Sequence, residues 1–426
     1  MITATIAATD NRRGRSLRAV TRGRYSGVVA IGDDRDGDSR LALRARFAHA
    51  RPHAAARCVL VLSDIHLAPI LRHERLPYRA PEFAPDVELS AVIDAAIARA
   101  AKERAALEIV LNGDVFDLDV AADERDASNF CAHCDVRSNA GAAESLEHVV
   151  RDHPSFILAL RRALASGARV VVLPGNHDAQ LAMPAPRAVL RAAIGKGLVF
   201  RSWCYAAAGG LVLVEHGHQY DPLCALSRLI PDGRTEATVG TVSSFYGPLL
   251  LRSDPFMTDP FAERRGVIRA IREAIAEHGS APLLRCARDL FAASIDRPPP
   301  DDVRALAALA GLDPELAALR RTHFAPKATI AEVVDAAAGA IAYGREVERA
   351  TDRAMTCATD VHEADVAVVG HTHAPGSRVL PNGATLLNAG AWTPRRDPDA
   401  PVGTYAWVAT HGPTVLSADV VAVRRS

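Results

Sequence analysis

The chain has no excess of either charge: 50 Lys and Arg stand against 50 Asp and Glu. No overall field recruits a polyanion, so a nucleic-acid partner is not expected, although a local basic patch stays open. It also lacks any run of the roughly 18 uninterrupted apolar residues that a membrane span requires. The reading therefore expects no spanning segment and leaves peripheral membrane contact open. The amino-terminal stretch has no apolar core of a secretory signal. The seven cysteines (58, 131, 134, 204, 224, 286 and 357) are odd in number and scattered. They fit a reduced, cytoplasmic protein rather than a disulfide framework. There is no internal repeat.

What is present is an ordinary globular balance, 49% apolar and 23% charged, over 426 residues. At roughly 100–200 residues per domain, that length allows two or three units. Five short polar motifs each close an apolar run. Ser63-Asp64-Ile65-His66 follows Arg57–Leu62, and Gly113-Asp114-Val115-Phe116-Asp117 follows Leu107–Leu111. Gly175-Asn176-His177-Asp178 follows Ala168–Pro174. His216-Gly217-His218 follows Leu211–Val214, and Gly370-His371-Thr372-His373 follows Asp365–Val369. Short apolar runs of this kind read as strands buried on both faces. In open α/β sheets, chemistry collects beyond the carboxyl ends of such strands. The five motifs are thus expected to meet in one crevice.

In chain order, residues 1–56 form an Arg-rich extension, read as partly disordered. The segment Asp86–Glu108 has helical spacing and makes a crossover between the first two strands. Helices are expected over Glu144–Ser166, as one or two, and over Pro186–Ile194. From about 223 to 360 the strand-then-motif pattern stops and helical segments dominate, which predicts a cap inserted between the fourth and fifth motif strands. Within it, Thr238–Phe261 is rich in Phe, Leu and Tyr, and reads either as packing of the cap or as a groove for an acyl chain. Short strands at Ser377–Leu380, Thr385–Ala389, Gly403–Thr410 and Thr414–Val423 are expected to form a closing antiparallel meander. The catalytic unit is then 57–222 with 361–426. Cys131-Ala132-His133-Cys134 lacks a second pair at zinc spacing and reads as a loop. His148, His153, His278 and His323 are expected at the surface.

Asp, Asn and His supply hard oxygen and imidazole ligands, and the motifs contain no thiolate. That donor set suits a pair of divalent ions used for hydrolysis rather than a structural zinc site. In an extended strand end, Asp64-x-His66 and His371-x-His373 would each put two ligands on one side.

The motifs resemble the calcineurin-like metallophosphoesterase superfamily, whose order is Asp-x-His, Gly-Asp, Gly-Asn-His, His and Gly-His-x-His. The resemblance covers about 57–222 and 362–395. It implies a four-layer αββα sandwich, an α/β fold with two packed sheets. It also implies a first metal on Asp64, His66 and His373, a second on Asn176, His216 and His371, and Asp114 bridging the two. Manganese is expected first, with iron, zinc or nickel as alternatives. A water bridging such ions ionises near neutral pH and attacks phosphorus in line. The resemblance makes His177 the group that assists the leaving oxygen, and the adjacent Asp178 is expected to orient it as the second catalytic residue. Asp117, His218 and Asp221 are placed to bond ligand imidazoles. Ser-Asp-Ile-His-Leu, His216–Asp221 and Gly370–Pro375 look most like the UDP-2,3-diacylglucosamine pyrophosphatase branch. That branch carries Arg where His177 stands and has a shorter cap. A nucleotide-linked or lipid-linked phosphoester or pyrophosphate is the expected substrate. The alternatives are a nucleotide phosphodiesterase or nuclease, and a catalytically silent scaffold.

Overall fold

The computed structural model describes residues 55–72, 79–118, 139–201, 204–221, 340–394 and 399–425, with isolated positions between 224 and 280. The Arg-rich segment, the Cys131–Cys134 stretch, His278, His323 and the apolar Thr238–Phe261 stretch lie outside the described residues.

Eleven strands among the described residues form two sheets. The first has the order β11-β10-β1-β2-β3-β4. Its strands are β1 (Ala56–Leu62), β2 (Ala106–Asn112), β3 (Arg169–Leu173), β4 (Val199–Phe200), β10 (Gly403–His411) and β11 (Thr414–Val423). The second has the order β5-β6-β7-β9-β8. It comprises β5 (Cys204–Ala207), β6 (Val212–Glu215), β7 (Val366–Val369), β8 (Gly376–Val379) and β9 (Thr385–Asn388). β1 to β4 run parallel, as do β6, β7 and β9.

The alternation of side chains along each strand explains the layers. Cys58, Leu60 and Leu62 of β1 face one core, with Ile109 and Leu111 of β2 and Val170 and Val172 of β3. That core is completed by α1 (Asp86–Glu103), α2 (Asn139–Asp152), α3 (Pro154–Ala165) and α4 (Pro184–Ala193). The intervening residues Val59, Val61, Val110 and Val171 turn the other way, against Val212, Val214, Val366 and Val368 of the second sheet. The far face of the second sheet presents Leu213, Ala367 and Val369 to Ala354, Met355 and Ala358 of α5 (Ala340–His362). Each fully buried Val or Leu contributes about 2 kcal/mol of transfer free energy, so neither face of either strand set tolerates a polar slip. The order is helices, sheet, sheet, helix: the αββα architecture.

The closing strands depart from a single meander. β8 and β9 join the second sheet, whereas β10 and β11 cross to the first, where β10 pairs antiparallel with β1 and β11 with β10. Trp392 marks the crossing, with its ring against Gly403, where a Cβ would sit 2.2 Å from Cδ2. No helix among the described residues is long and apolar enough to cross a membrane.

Candidate metal centre

The motifs stand where β1, β2, β3, β6 and β7 end, and the two sheets bring their tips together. The backbone there is not extended. Asp64, His66, Asp114, His371 and His373 all have positive φ, between 50° and 68°. Left-handed geometry is unfavourable for side chains with a Cβ and collects at functional turns. The paired ligands in Asp64-x-His66 and His371-x-His373 thus converge through left-handed turns, not through strand pleating. The loops are tied crosswise: the Asp64 amide donates to Gly113 O at 3.1 Å and the His66 amide to Asp114 O at 2.9 Å. The His371 amide donates to the Asp64 carboxylate at 2.9 Å.

Motif glycines make this approach feasible. A Cβ on Gly175 would lie 2.2 Å from Asp114 Oδ1, and one on Gly370 would lie 2.0 Å from Ser63 Oγ.

Two adjoining groups of ligand atoms result. Those of Asp64, His66 and His373 lie within 4.8 Å of one another, and so do those of Asp114, His216 and His371. His66 Nε2 faces His373 Nε2 at 3.1 Å. His216 Nε2 is 3.1 Å from Asp114 Oδ2 and 3.9 Å from Asp64 Oδ1, which places the groups side by side. Asn176 is buried at the tip of β3, next to His177.

Neighbouring acceptors fix which ring nitrogens point inward. His66 Nδ1 donates to Asp117 Oδ1 at 2.7 Å and His216 Nδ1 to the Asn112 carbonyl at 2.8 Å. Both rings therefore turn a bare Nε2 into the centre. His371 is reversed: Nε2 donates to Asp221 Oδ2 at 3.0 Å, which leaves Nδ1 for the centre. Lone pairs and carboxylates thus face one another in a buried space that only positive charge can stabilise. Burial would pull the His216 ring down, but the Asp114 and Asp64 carboxylates outweigh it and push its pKa up to about 9. Burial opposes ionisation of Asp114 in turn, yet the His216 and His177 rings hold its carboxyl well below the usual range. This oxygen-and-imidazole set fits divalent cations of the manganese-to-zinc series.

Residues 59–263 match the calcineurin-like phosphoesterase family. The match takes in the first four motifs, and the structure adds the fifth, His371 and His373, to the same cluster. No curated protein matches the chain in sequence. A crystal structure of a dimetal phosphatase from Danio rerio aligns over 86% of this chain and 99% of that one, at 10% identity and a TM-score of 0.32. Another solved structure aligns over 87% and 100%, at 10% identity and a TM-score of 0.29. At those scores the likeness assigns nothing to this chain.

Asp178 departs from expectation. Its carboxylate does not orient His177. It accepts backbone N–H groups from Asp114 (3.2 Å), Val115 (2.9 Å), Phe116 (3.3 Å) and Gly175 (2.6 Å). It is a clamp that fixes the loop carrying Asp114. Burial and the nearby Asp114 charge push its pKa up to about 7, against those four donors. The carboxylate beside His177 is Asp117, 3.7 Å from His177 Nδ1. Asp117 and Asp221 bond the His66 and His371 imidazoles, but among the described residues neither ring nitrogen of the buried His218 has a hydrogen-bond partner.

His153 is likewise not a surface residue. Only 3% exposed, it donates Nδ1–H to Asp86 Oδ2 at 2.7 Å and Nε2–H to the Ala68 carbonyl at 2.8 Å.

Three supports lay outside the motif logic. Asn112 receives His216 and Ser63 on its carbonyl and donates its side-chain amide to Glu215 O at 2.9 Å. Asn388 donates to Gly370 O and to Thr372 Oγ1, and the Trp392 amide donates to Asp64 O at 3.0 Å. Asn112 directly precedes Gly113-Asp114, an Asn-Gly turn signal that marks it. Trp392 carries no local signal.

Proposed function

We propose that the chain is a dinuclear metal-dependent phosphoesterase that hydrolyses a phosphoester or pyrophosphate bond of a nucleotide-linked or lipid-linked substrate. The observation that carries this reading is the side-by-side pair of ligand groups, with Asp114 in one and its partner His216 within 3.9 Å of Asp64 in the other. Asp64, His66 and His373 would hold the first ion. Asn176, His216 and His371 would hold the second, and Asp114 would touch both. Bound divalent ions supply an acidified water and neutralise charge building on the phosphoryl oxygens.

The protein's own groups provide the rest. Asp117, Asn112 and Asp221 keep His66, His216 and His371 in the tautomers that bind. The His177 amide donates to Asp114 Oδ1 at 2.7 Å and holds that carboxylate in place. The His177 side chain, 20% exposed, is more open than His66, His216, His371 or His373, at 13%, 0%, 5% and 14%. It is the imidazole best placed to meet a substrate and to protonate the departing oxygen.

The likeness of His216–Asp221 and Gly370–Pro375 to the UDP-2,3-diacylglucosamine pyrophosphatase branch supports a nucleotide-linked lipid as the substrate class. Residues 223–360 would form the cap over the centre, and its apolar stretch would provide peripheral membrane contact. Manganese is the first choice of ion.

The test is hydrolysis by manganese-loaded protein of a nitrophenyl monoester, a nitrophenyl diester, a UDP-sugar and a UDP-linked lipid. Pyrophosphate cleavage of the UDP compounds, fastest for the lipid, is expected. Turnover confined to the monoester would overturn the substrate class, and no metal-dependent turnover of any would overturn the activity.

A further inference from the structure

Behind the centre lies a second ligand set of different chemistry. Asp221, Cys224 and His371 are all buried, and one ligand atom from each lies within 4.8 Å of the other two. Cys224 is 2% exposed and Asp221 0%. A turn brings the two together, with the Cys224 amide donating to Asp221 O at 3.0 Å. Asp221 stands just beyond the 3-10 helix His218–Tyr220 and meets the His371 ring from the side of Nε2, 3.0 Å from its Oδ2. The opposite nitrogen, Nδ1, is the one left for Asp114 and His216.

We propose that Asp221, Cys224 and His371 Nε2 form a separate cation site for a thiophilic divalent ion such as zinc, back to back with the phosphoesterase centre through one imidazole. Sulfur, nitrogen and oxygen donors with a fourth position open are a set that zinc accepts readily. The dinuclear ligands, which contain no sulfur, have no such preference. Loading the site releases two protons to solvent: the thiol proton of Cys224 and the proton that His371 Nε2 shares with Asp221. Asp221 then serves the new ion instead of holding the His371 tautomer, and His371, having lost its ring proton, would be an imidazolate shared between the two cation sites. Filling the site therefore inhibits hydrolysis, and an excess of zinc acts as a brake that manganese does not apply.

The test is cobalt titration of the full-length chain, read by the near-ultraviolet sulfur-to-cobalt charge-transfer band. This measurement does not depend on whether the neighbouring centre is catalytic. The band is expected in the wild type and in Cys131→Ser/Cys134→Ser, and should be lost in both Cys224→Ser and Cys224→Ala. Circular dichroism selects whichever variant keeps the fold. In parallel, zinc added to manganese-loaded protein should inhibit the wild type at least tenfold more strongly than the Cys224 variant, whose activity without zinc is unchanged. A wild type without the band, or a band that survives loss of Cys224, overturns the site. Equal zinc inhibition of both proteins overturns the brake.

Discussion

His66 Nε2 and His373 Nε2 face each other at 3.1 Å, although 307 positions separate them in the chain. Two ring nitrogens so close, one with its lone pair fixed inward by Asp117, are the spacing of cis ligands on a common ion at roughly 2.0–2.2 Å. The sheets close around that meeting point, and the predictions below address how the chain sustains it.

The motif glycines should be intolerant of a methyl group for reasons of space alone. Gly175→Ala would put a Cβ 2.2 Å from Asp114 Oδ1, whereas Gly376→Ala meets nothing within 4 Å. The first change is expected to lower metal content and hydrolysis at least tenfold, and the second to leave both unchanged. Metal analysis of the two purified variants checks this, and equal metal content would count against it.

Asp178→Ala would leave four buried N–H groups without their acceptor. At about 1 kcal/mol per net hydrogen bond, more for a charged acceptor, the loss should be roughly 3 kcal/mol or above. Urea unfolding of the metal-free protein measures it. A change below about 1 kcal/mol would contradict the clamp.

These two cases show what the sequence could and could not carry. Every motif strand lay within a residue or two of its expected place, because alternating burial and apolar runs are local signals. The division of strands between two sheets was not local: Cys58 and Val59 look alike in sequence yet face different cores. Asp178 was misread because adjacency to His177 suggested a side-chain partner, whereas three of its four partners are amides 62 to 64 positions away. His153 was misread for a similar reason, since Asp86 and Ala68 are remote in the chain.

His177→Ala should keep metal and lose activity in proportion to the basicity of the leaving group. General-acid assistance contributes about 10²–10⁴ in rate. A nitrophenyl ester should lose least and an alkyl phosphoester most. Uniform loss on both would assign His177 to phosphate positioning.

His153 gives a pH signature away from the centre. Burial opposes its charge, but the bonds to Asp86 and to the Ala68 carbonyl raise its pKa above the ordinary 6.5, and Asp152 adds to them. The folded state therefore holds the proton more tightly than the unfolded chain. The stabilisation is complete below 6.5 and fades as pH rises through the raised value. The melting-temperature gap between wild type and His153→Gln should narrow from about pH 6 to about pH 9. A gap that widens with pH would have the wrong sign.

The central claim is that Asp114 holds two cations side by side. Electron paramagnetic resonance of protein carrying two manganese ions per chain tests it most directly. A spin-coupled spectrum in the wild type, replaced by isolated-ion signals in Asp114→Asn, is the predicted result. Isolated-ion signals in the wild type at every loading would contradict it.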